Sequence, residues 1–198
     1  SCAELHPRHI ALPRGCFDEA VEVLTEHGAQ AELDDQRSDG TPLPNTVQFL
    51  GELRPPQQRA FESLTAHDTG VLAATTAFGK TVVASALIGH RARNTLVLVH
   101  RRELLDQWLE RLKTFLEIDP KQIGTIGGGK RKPTGVIDVA LIQSLVRNGE
   151  VDDIVADYGQ LIVDECHHLS AASFELVARR TKARYVVGLS ATVARKDG

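Results

Sequence analysis

Five short runs along this chain are apolar at nearly every position: residues 70–74, 95–99, 136–142, 160–163 and 185–189. A strand with one face in water alternates apolar and polar residues. Uninterrupted runs therefore belong to strands buried on both faces. Between the runs lie stretches with helical spacing, over about residues 80–91, 102–116 and 171–179. Strand and helix in alternation predict right-handed crossovers and a mainly parallel sheet covered on both sides. The fold class expected for residues 53–198 is a doubly wound α/β domain.

Residues 1–52 read differently. A short apolar run at 9–12 ends at Pro13 and Gly15, and Phe17, Ala20, Val21 and Leu24 then recur at helical spacing. Asp18 and Glu19 stand near the start of that helix, where the macrodipole favours acids, and Gly28 is its stop. Residues 29–33 and 46–50 have strand character. The expectation is a small α+β module over 1–52, strand–helix–strand–strand, ahead of the larger domain. No internal repeat or low-complexity segment appears. Gly127-Gly128-Gly129-Lys130-Arg131-Lys132 reads as a flexible basic loop.

The stretch Ala74-Thr75-Thr76-Ala77-Phe78-Gly79-Lys80-Thr81 follows a predicted strand and opens a predicted helix. That is the setting of a phosphate-binding loop. Backbone N–H groups and the dipole at a helix N-terminus wrap an anion. Lys80 would reach the β- and γ-phosphates of ATP, and the Thr81 hydroxyl would ligate Mg²⁺. The bland alternative is a Gly-Lys-Thr that merely begins a helix. A second stretch narrows the choice: Leu161-Ile162-Val163 is a buried-strand run ending in Asp164-Glu165-Cys166-His167. Acids at the carboxyl end of a parallel strand stand at the sheet's ligand-binding edge. Asp164 would hold Mg²⁺, and Glu165 would orient and deprotonate the attacking water.

These residues resemble superfamily 2 helicases and translocases of the DEAD/DEAH type, whose motor is a pair of RecA-like domains. Asp164-Glu165-Cys166-His167 is similar to the box that defines them, and further elements come in the family's order. Leu53-Arg54-Pro55-Pro56-Gln57 looks like the adenine-reading element, which implies base contacts from Arg54 and Gln57. The cofactor-binding set implied is Arg54, Gln57, Thr76, Ala77, Phe78, Gly79, Lys80 and Thr81. Val97-Leu98-Val99-His100-Arg101-Arg102-Glu103-Leu104 resembles a nucleic-acid-touching motif through His100 and Arg101. Ala140-Leu141-Ile142-Gln143-Ser144-Leu145 resembles another, through Gln143 and Ser144. Ser190-Ala191-Thr192 is similar to the motif that couples hydrolysis to domain movement. Within the superfamily the likeness runs to DNA helicases of the repair and transcription type. It extends to prokaryotic relatives with a Type III restriction-like helicase domain.

The resemblance implies DNA as partner, with RNA as the alternative, and a second motor domain of the same chain beyond Gly198. Three rivals accompany it: the motor subunit of a restriction system, an RNA helicase, and a scaffold with a relict site. Two departures stand out. The family carries glycine where Ala77 stands and a small residue at Phe78, so a left-handed backbone at Ala77 would cost about 1 kcal/mol. Val193 stands at a family proline.

Charge and cysteine usage fit this reading. The net charge of −3 divides into three basic and ten acidic side chains over 1–52, and twenty basic against sixteen acidic over 53–198. A mildly basic motor thus lies behind a strongly acidic module, whose acidity opposes direct phosphate contact. Cys2, Cys16 and Cys166 form no disulfide framework, which points to a reducing cytoplasmic setting, and no run is long enough to span a membrane. The spacing of Cys2, His6, His9 and Cys16 is untidy for zinc. Trp108 falls at helical spacing with Leu104, Leu105 and Leu112, and is expected in the core. The absence of any methionine, even at position 1, suggests a piece of a longer protein.

Overall fold

All five apolar runs become strands of one seven-stranded sheet. The computed structural model describes residues 4–12, 16–30, 32–166 and 171–191. It divides into two units, residues 1–36 and 37–198.

In the first unit β1 (Glu4–Leu5) pairs antiparallel with β2 (Ile10–Ala11), and α1 (Phe17–Glu26) comes next. His27 Nδ1 bonds the Val23 carbonyl at 2.8 Å, and Gly28 turns the chain at φ +67°. The strand expected at 29–33 is absent among its described residues. With so few partners, Leu5, Ile10, Val23 and Leu33 are all exposed.

The second unit runs β3 (Gln48–Phe49), α2 (Pro55–Thr65), β4 (Thr69–Ala73), α3 (Lys80–Arg91), β5 (Thr95–Val99), α4 (Arg102–Phe115) and β6 (Leu116–Glu117). It continues with β7 (Ile123–Gly127), β8 (Lys130–Lys132), β9 (Ile137–Leu141), α5 (Ile142–Leu145), β10 (Val146–Arg147), β11 (Glu150–Val151), β12 (Gln160–Val163), α6 (Ala171–Arg180) and β13 (Tyr185–Ser190). The large sheet has the order β4-β13-β12-β5-β9-β7-β8. All its neighbours are parallel except β7 and β8.

Two expectations change here. The division falls between Gln36 and Arg37 instead of after residue 52. Leu43 and Val47 sit in the core of the second unit, and β3 pairs with β6, so residues 37–52 pack with the α/β domain. The basic segment 127–132 is also no free loop. Gly127, Gly128 and Gly129, all with positive φ, turn the chain back, and Lys130–Lys132 becomes the outermost strand. Its three side chains are exposed, and lysines along such an edge discourage further strand pairing.

Side-chain alternation explains why the runs had to be apolar throughout. Val97 and Val99 of β5, Ile162 of β12, and Val187 and Leu189 of β13 face one way. There they meet Val83, Leu87 and Ile88 of α3, and Leu105, Trp108 and Leu112 of α4. Leu96, Leu98, Leu161 and Val163 face the other way, against Leu145, Val155, Tyr158 and Val177. Each buried Leu or Val stabilises the fold by about 1.5–3 kcal/mol, and both faces of the sheet collect that gain.

Two buried polar side chains organise the strands' amino-terminal edge. Asn94 Oδ1 accepts from the Thr41 and Gly159 amides, and Nδ2 donates to the Gly135 and Asp157 carbonyls. The Asp138 carboxylate accepts from the Thr134 and Gly135 amides, the Thr134 hydroxyl and the Tyr158 phenol. The opposite, carboxyl-terminal edge is thereby left for the site.

Candidate nucleotide and nucleic-acid site

Five strand ends bring the expected site residues to one edge. The phosphate loop leaves β4, His100 comes after β5, Gln143 after β9 and Asp164 after β12, and Ser190 closes β13. Ser190 is in register with Ala73, and Val163 with Gly188 and Leu98. The parallel registers set these ends side by side, as the order of the sheet requires.

The phosphate loop is built in two steps. Thr76–Phe78 makes one 3₁₀ turn, then Gly79 adopts a left-handed conformation (φ +87°) from which α3 starts. Ala77 is absent from the positive-φ residues. The strain expected there does not arise, because the left-handed position is taken by Gly79. No side chain caps α3, so its dipole and first turn face the cleft. Lys80 is 7% exposed. Its Nζ donates to the Ala74 carbonyl at 3.0 Å and lies 3.7 Å from Glu165 Oε1.

Arg54 and Gln57 hold the loop from outside. Arg54 Nη2 and Gln57 Nε2 both donate to the Phe78 carbonyl, at 2.5 and 2.8 Å. Gln57 Oε1 accepts from the Arg54 amide at 2.9 Å, closing the first turn of α2. Both residues line a cleft of about 520 Å³ together with Thr76, Gly79, Lys80, Thr81, Asp164 and Glu165. Six of the eight residues in the expected cofactor-binding set thus line one cleft, Ala77 and Phe78 not among them, and Arg54 and Gln57 are spent on the loop itself in this conformation.

Asp164 is buried, and both its oxygens are engaged. Oδ2 accepts from the Trp108 indole N–H at 2.7 Å, and Oδ1 from the Glu165 amide at 2.9 Å. Burial pushes the Asp164 carboxyl above the usual carboxylate range, while the indole hydrogen bond opposes that rise. Glu165 adopts φ +49°, an uncommon conformation for a non-glycine residue, at the point where the strand breaks. A buried carboxylate, a second carboxylate and the Thr81 hydroxyl form a hard oxygen donor set, which suits Mg²⁺. Burial also pushes the Cys166 thiol up, against a hydrogen bond with the Ser190 side chain.

A neighbouring cleft of about 280 Å³ is lined by His100, Arg101, Glu103, Leu104 and Glu165. Glu165 thus borders both clefts. Gln143 Nε2 donates to the His100 carbonyl at 3.0 Å, joining two of the strand ends expected to meet nucleic acid. Ser144 is half-buried in the short α5. Ala191 is described; Thr192, His167 and Cys2 lie outside the described residues. Among the described residues no group of three or more His, Cys, Asp or Glu is arranged to hold a metal, and no helix is long and apolar enough to cross a membrane.

Sequence reasoning placed Trp108 in the core, where it is, but missed its bond to Asp164. It also missed Glu52, and Gln107, Arg111 and Phe115 on one stripe of α4, as walls of the larger cleft. The i, i+4, i+8 spacing of the last three puts them on one helix face. Spacing alone did not say which element that face would oppose.

Comparison with known proteins agrees with this geometry. The model of the family described as Type III restriction enzyme, res subunit, matches residues 50–195. The DNA 3'-5' translocase XPB2 of Sulfurisphaera tokodaii is 30% identical over 169 residues, covering 85% of this chain and 37% of that protein. The putative DNA 3'-5' helicase Rad25 of Halobacterium salinarum is 34% identical over 180 residues, covering 88% and 29%. The chain therefore spans less than two fifths of these relatives' length. The UvsW helicase of bacteriophage T4 has the same fold, with a TM-score of 0.71 over 96% of this chain and 74% of that one, at 18% identity.

Proposed function

We propose that this chain, which belongs to the family of Type III restriction enzyme res subunits, is the first RecA-like motor domain of an ATP-dependent DNA helicase or translocase. The observation that carries the reading is the convergence of Lys80 and Glu165, 3.7 Å apart, from two strand ends in one cleft. A lysine on a phosphate loop beside a carboxylate pair is the equipment for holding and hydrolysing a nucleoside triphosphate.

On this reading each residue has a role. The α3 N-terminus and Lys80 bind the phosphates, and Arg54 and Gln57 exchange the Phe78 carbonyl for the adenine base. Thr81 and Asp164 would hold Mg²⁺, which supplies charge neutralisation at the phosphates. Glu165 accepts a proton from the attacking water. His100, Arg101, Gln143 and Ser144 meet the nucleic-acid backbone, so binding depends on salt more than on base sequence. Ser190, Ala191 and Thr192 couple the nucleotide to movement. DNA is the proposed partner because the two relatives named above are a DNA 3'-5' translocase and a putative DNA 3'-5' helicase. A second motor domain would supply arginines to the transferred phosphoryl group. Residues 1–36 are read as an accessory module, and the free Cys16 and Cys166 accord with a reducing interior. The family match also favours a second reading, the motor subunit of a restriction system.

Titration calorimetry with a non-hydrolysable ATP analogue, with and without Mg²⁺, tests the nucleotide site. Saturable, Mg²⁺-tightened binding supports it, and no binding at millimolar analogue overturns it in favour of a relict scaffold. Titration of labelled DNA and RNA of equal length separates the two polymers.

A further inference from the structure

We infer that Trp108 is a positioning residue for Asp164: its indole N–H fixes the carboxylate in the orientation that receives Mg²⁺. This rests on the proposal that Asp164 belongs to the nucleotide site. The geometry is specific. Trp108 is 1% exposed and Asp164 is 7% exposed, so no water competes for their 2.7 Å bond. The Glu165 amide holds the other oxygen at 2.9 Å. Two donors, one on each oxygen, fix the carboxylate plane and leave one lone pair per oxygen for a cation. An indole suits the task because it donates once, from a rigid ring, and accepts nothing. It cannot become an alternative ligand.

The placement of Trp108 adds a second consequence. Helix α4 begins at Arg102, directly after the His100–Arg101 segment proposed to meet nucleic acid, and carries Trp108 six residues later. Leu105 and Leu112 lock the helix against the sheet on either side of the indole. The nucleic-acid segment and the donor to Asp164 therefore sit on one packed element. A core tryptophan whose N–H merely found the nearest acceptor would keep the fold but leave Mg²⁺ binding untouched. That difference is measurable.

Trp108→Phe keeps an aromatic ring and removes the donor. In calorimetry with a non-hydrolysable ATP analogue, its affinity in EDTA is expected to match the parent. The tightening on adding Mg²⁺ is expected to fall about 10-fold or more, the usual loss when a partner behind a metal ligand is removed. Parental tightening in Trp108→Phe overturns the inference. Lys80→Ala and Asp164→Asn separate the two levels: if both bind the Mg²⁺ analogue like the parent, the nucleotide-site reading fails instead. Should Trp108→Phe not fold, the parent protein still decides the matter. The chain has one tryptophan, so its ¹⁵N-labelled indole gives a single resonance. That resonance should shift when Mg²⁺ is added to the analogue-saturated protein, and a resonance that stays in place overturns the inference.

Discussion

Lys80 Nζ stands 3.7 Å from Glu165 Oε1 while donating to the Ala74 carbonyl at 3.0 Å. The lysine of the phosphate loop is thus held by the loop's own backbone and by the acid of the second motif. In the proposed nucleotide-bound state a phosphate takes the place of both partners. Lys80→Ala should weaken binding of an ATP analogue by about 2 kcal/mol or more, roughly 30-fold in Kd, as expected for lost charge-assisted bonds. Calorimetry reads the loss, and an unchanged far-UV spectrum shows that the fold survives.

Glu165→Gln separates binding from chemistry. The amide keeps the side chain's size but accepts no proton. In a protein carrying both motor domains, phosphate release should fall by about 100-fold or more while the nucleotide stays bound. Parental turnover in that variant would remove Glu165 from the role of base.

Gly79→Ala probes the left-handed position. A Cβ there would stand 2.5 Å from Gln57 Nε2, and φ +87° is unfavourable for any L side chain. The variant should lose about 1–2 kcal/mol in urea unfolding from strain. It should also bind nucleotide more weakly, because Gln57 must leave the Phe78 carbonyl. Ala77→Gly should change neither by comparison, since the backbone at 77 is already relaxed.

Asn94→Ala removes four hydrogen bonds at a site 4% exposed. Two amides and two carbonyls from residues 41, 135, 157 and 159 lose their side-chain partner in a dry setting. Chemical denaturation should show a loss of about 3 kcal/mol or more, among the largest for any single polar substitution in this chain.

Tyr158 gives the stability a sign at high pH. Burial, then the hydrogen bond to Asp138, raise its phenol well above the usual tyrosine range. The native state keeps the proton that the unfolded chain releases near pH 10. This contribution is therefore complete below about pH 10 and is lost as pH rises beyond it. Tyr158→Phe should cost about 1–2 kcal/mol at pH 7 and flatten the decline above pH 10. Urea midpoints across that range measure both effects.

The residues of the candidate site were readable from the chain because their signals are local. A buried-strand run ending in two acids, and Gly-Lys-Thr after another such run, need no knowledge of distant contacts. The doubly wound architecture was readable for the same reason: runs apolar at every position have one economical use. Charge patterning also survives the structural division. Residues 1–36 carry two basic and eight acidic side chains, against twenty-one and eighteen in 37–198.

What tertiary structure alone decided involves pairs far apart in sequence. Residues 37–52 join the α/β unit because Leu43 and Val47 find its core and β3 finds β6. The basic segment 130–132 becomes a strand because β7 offers an edge. Trp108 meets Asp164 across 56 positions because α4 is laid on the face of the sheet below the end of β12. Helical spacing determines that Trp108 turns inward. Only the packing of helix on sheet determines which inward-facing group its one polar atom meets, and here that group is the buried acid at the end of β12.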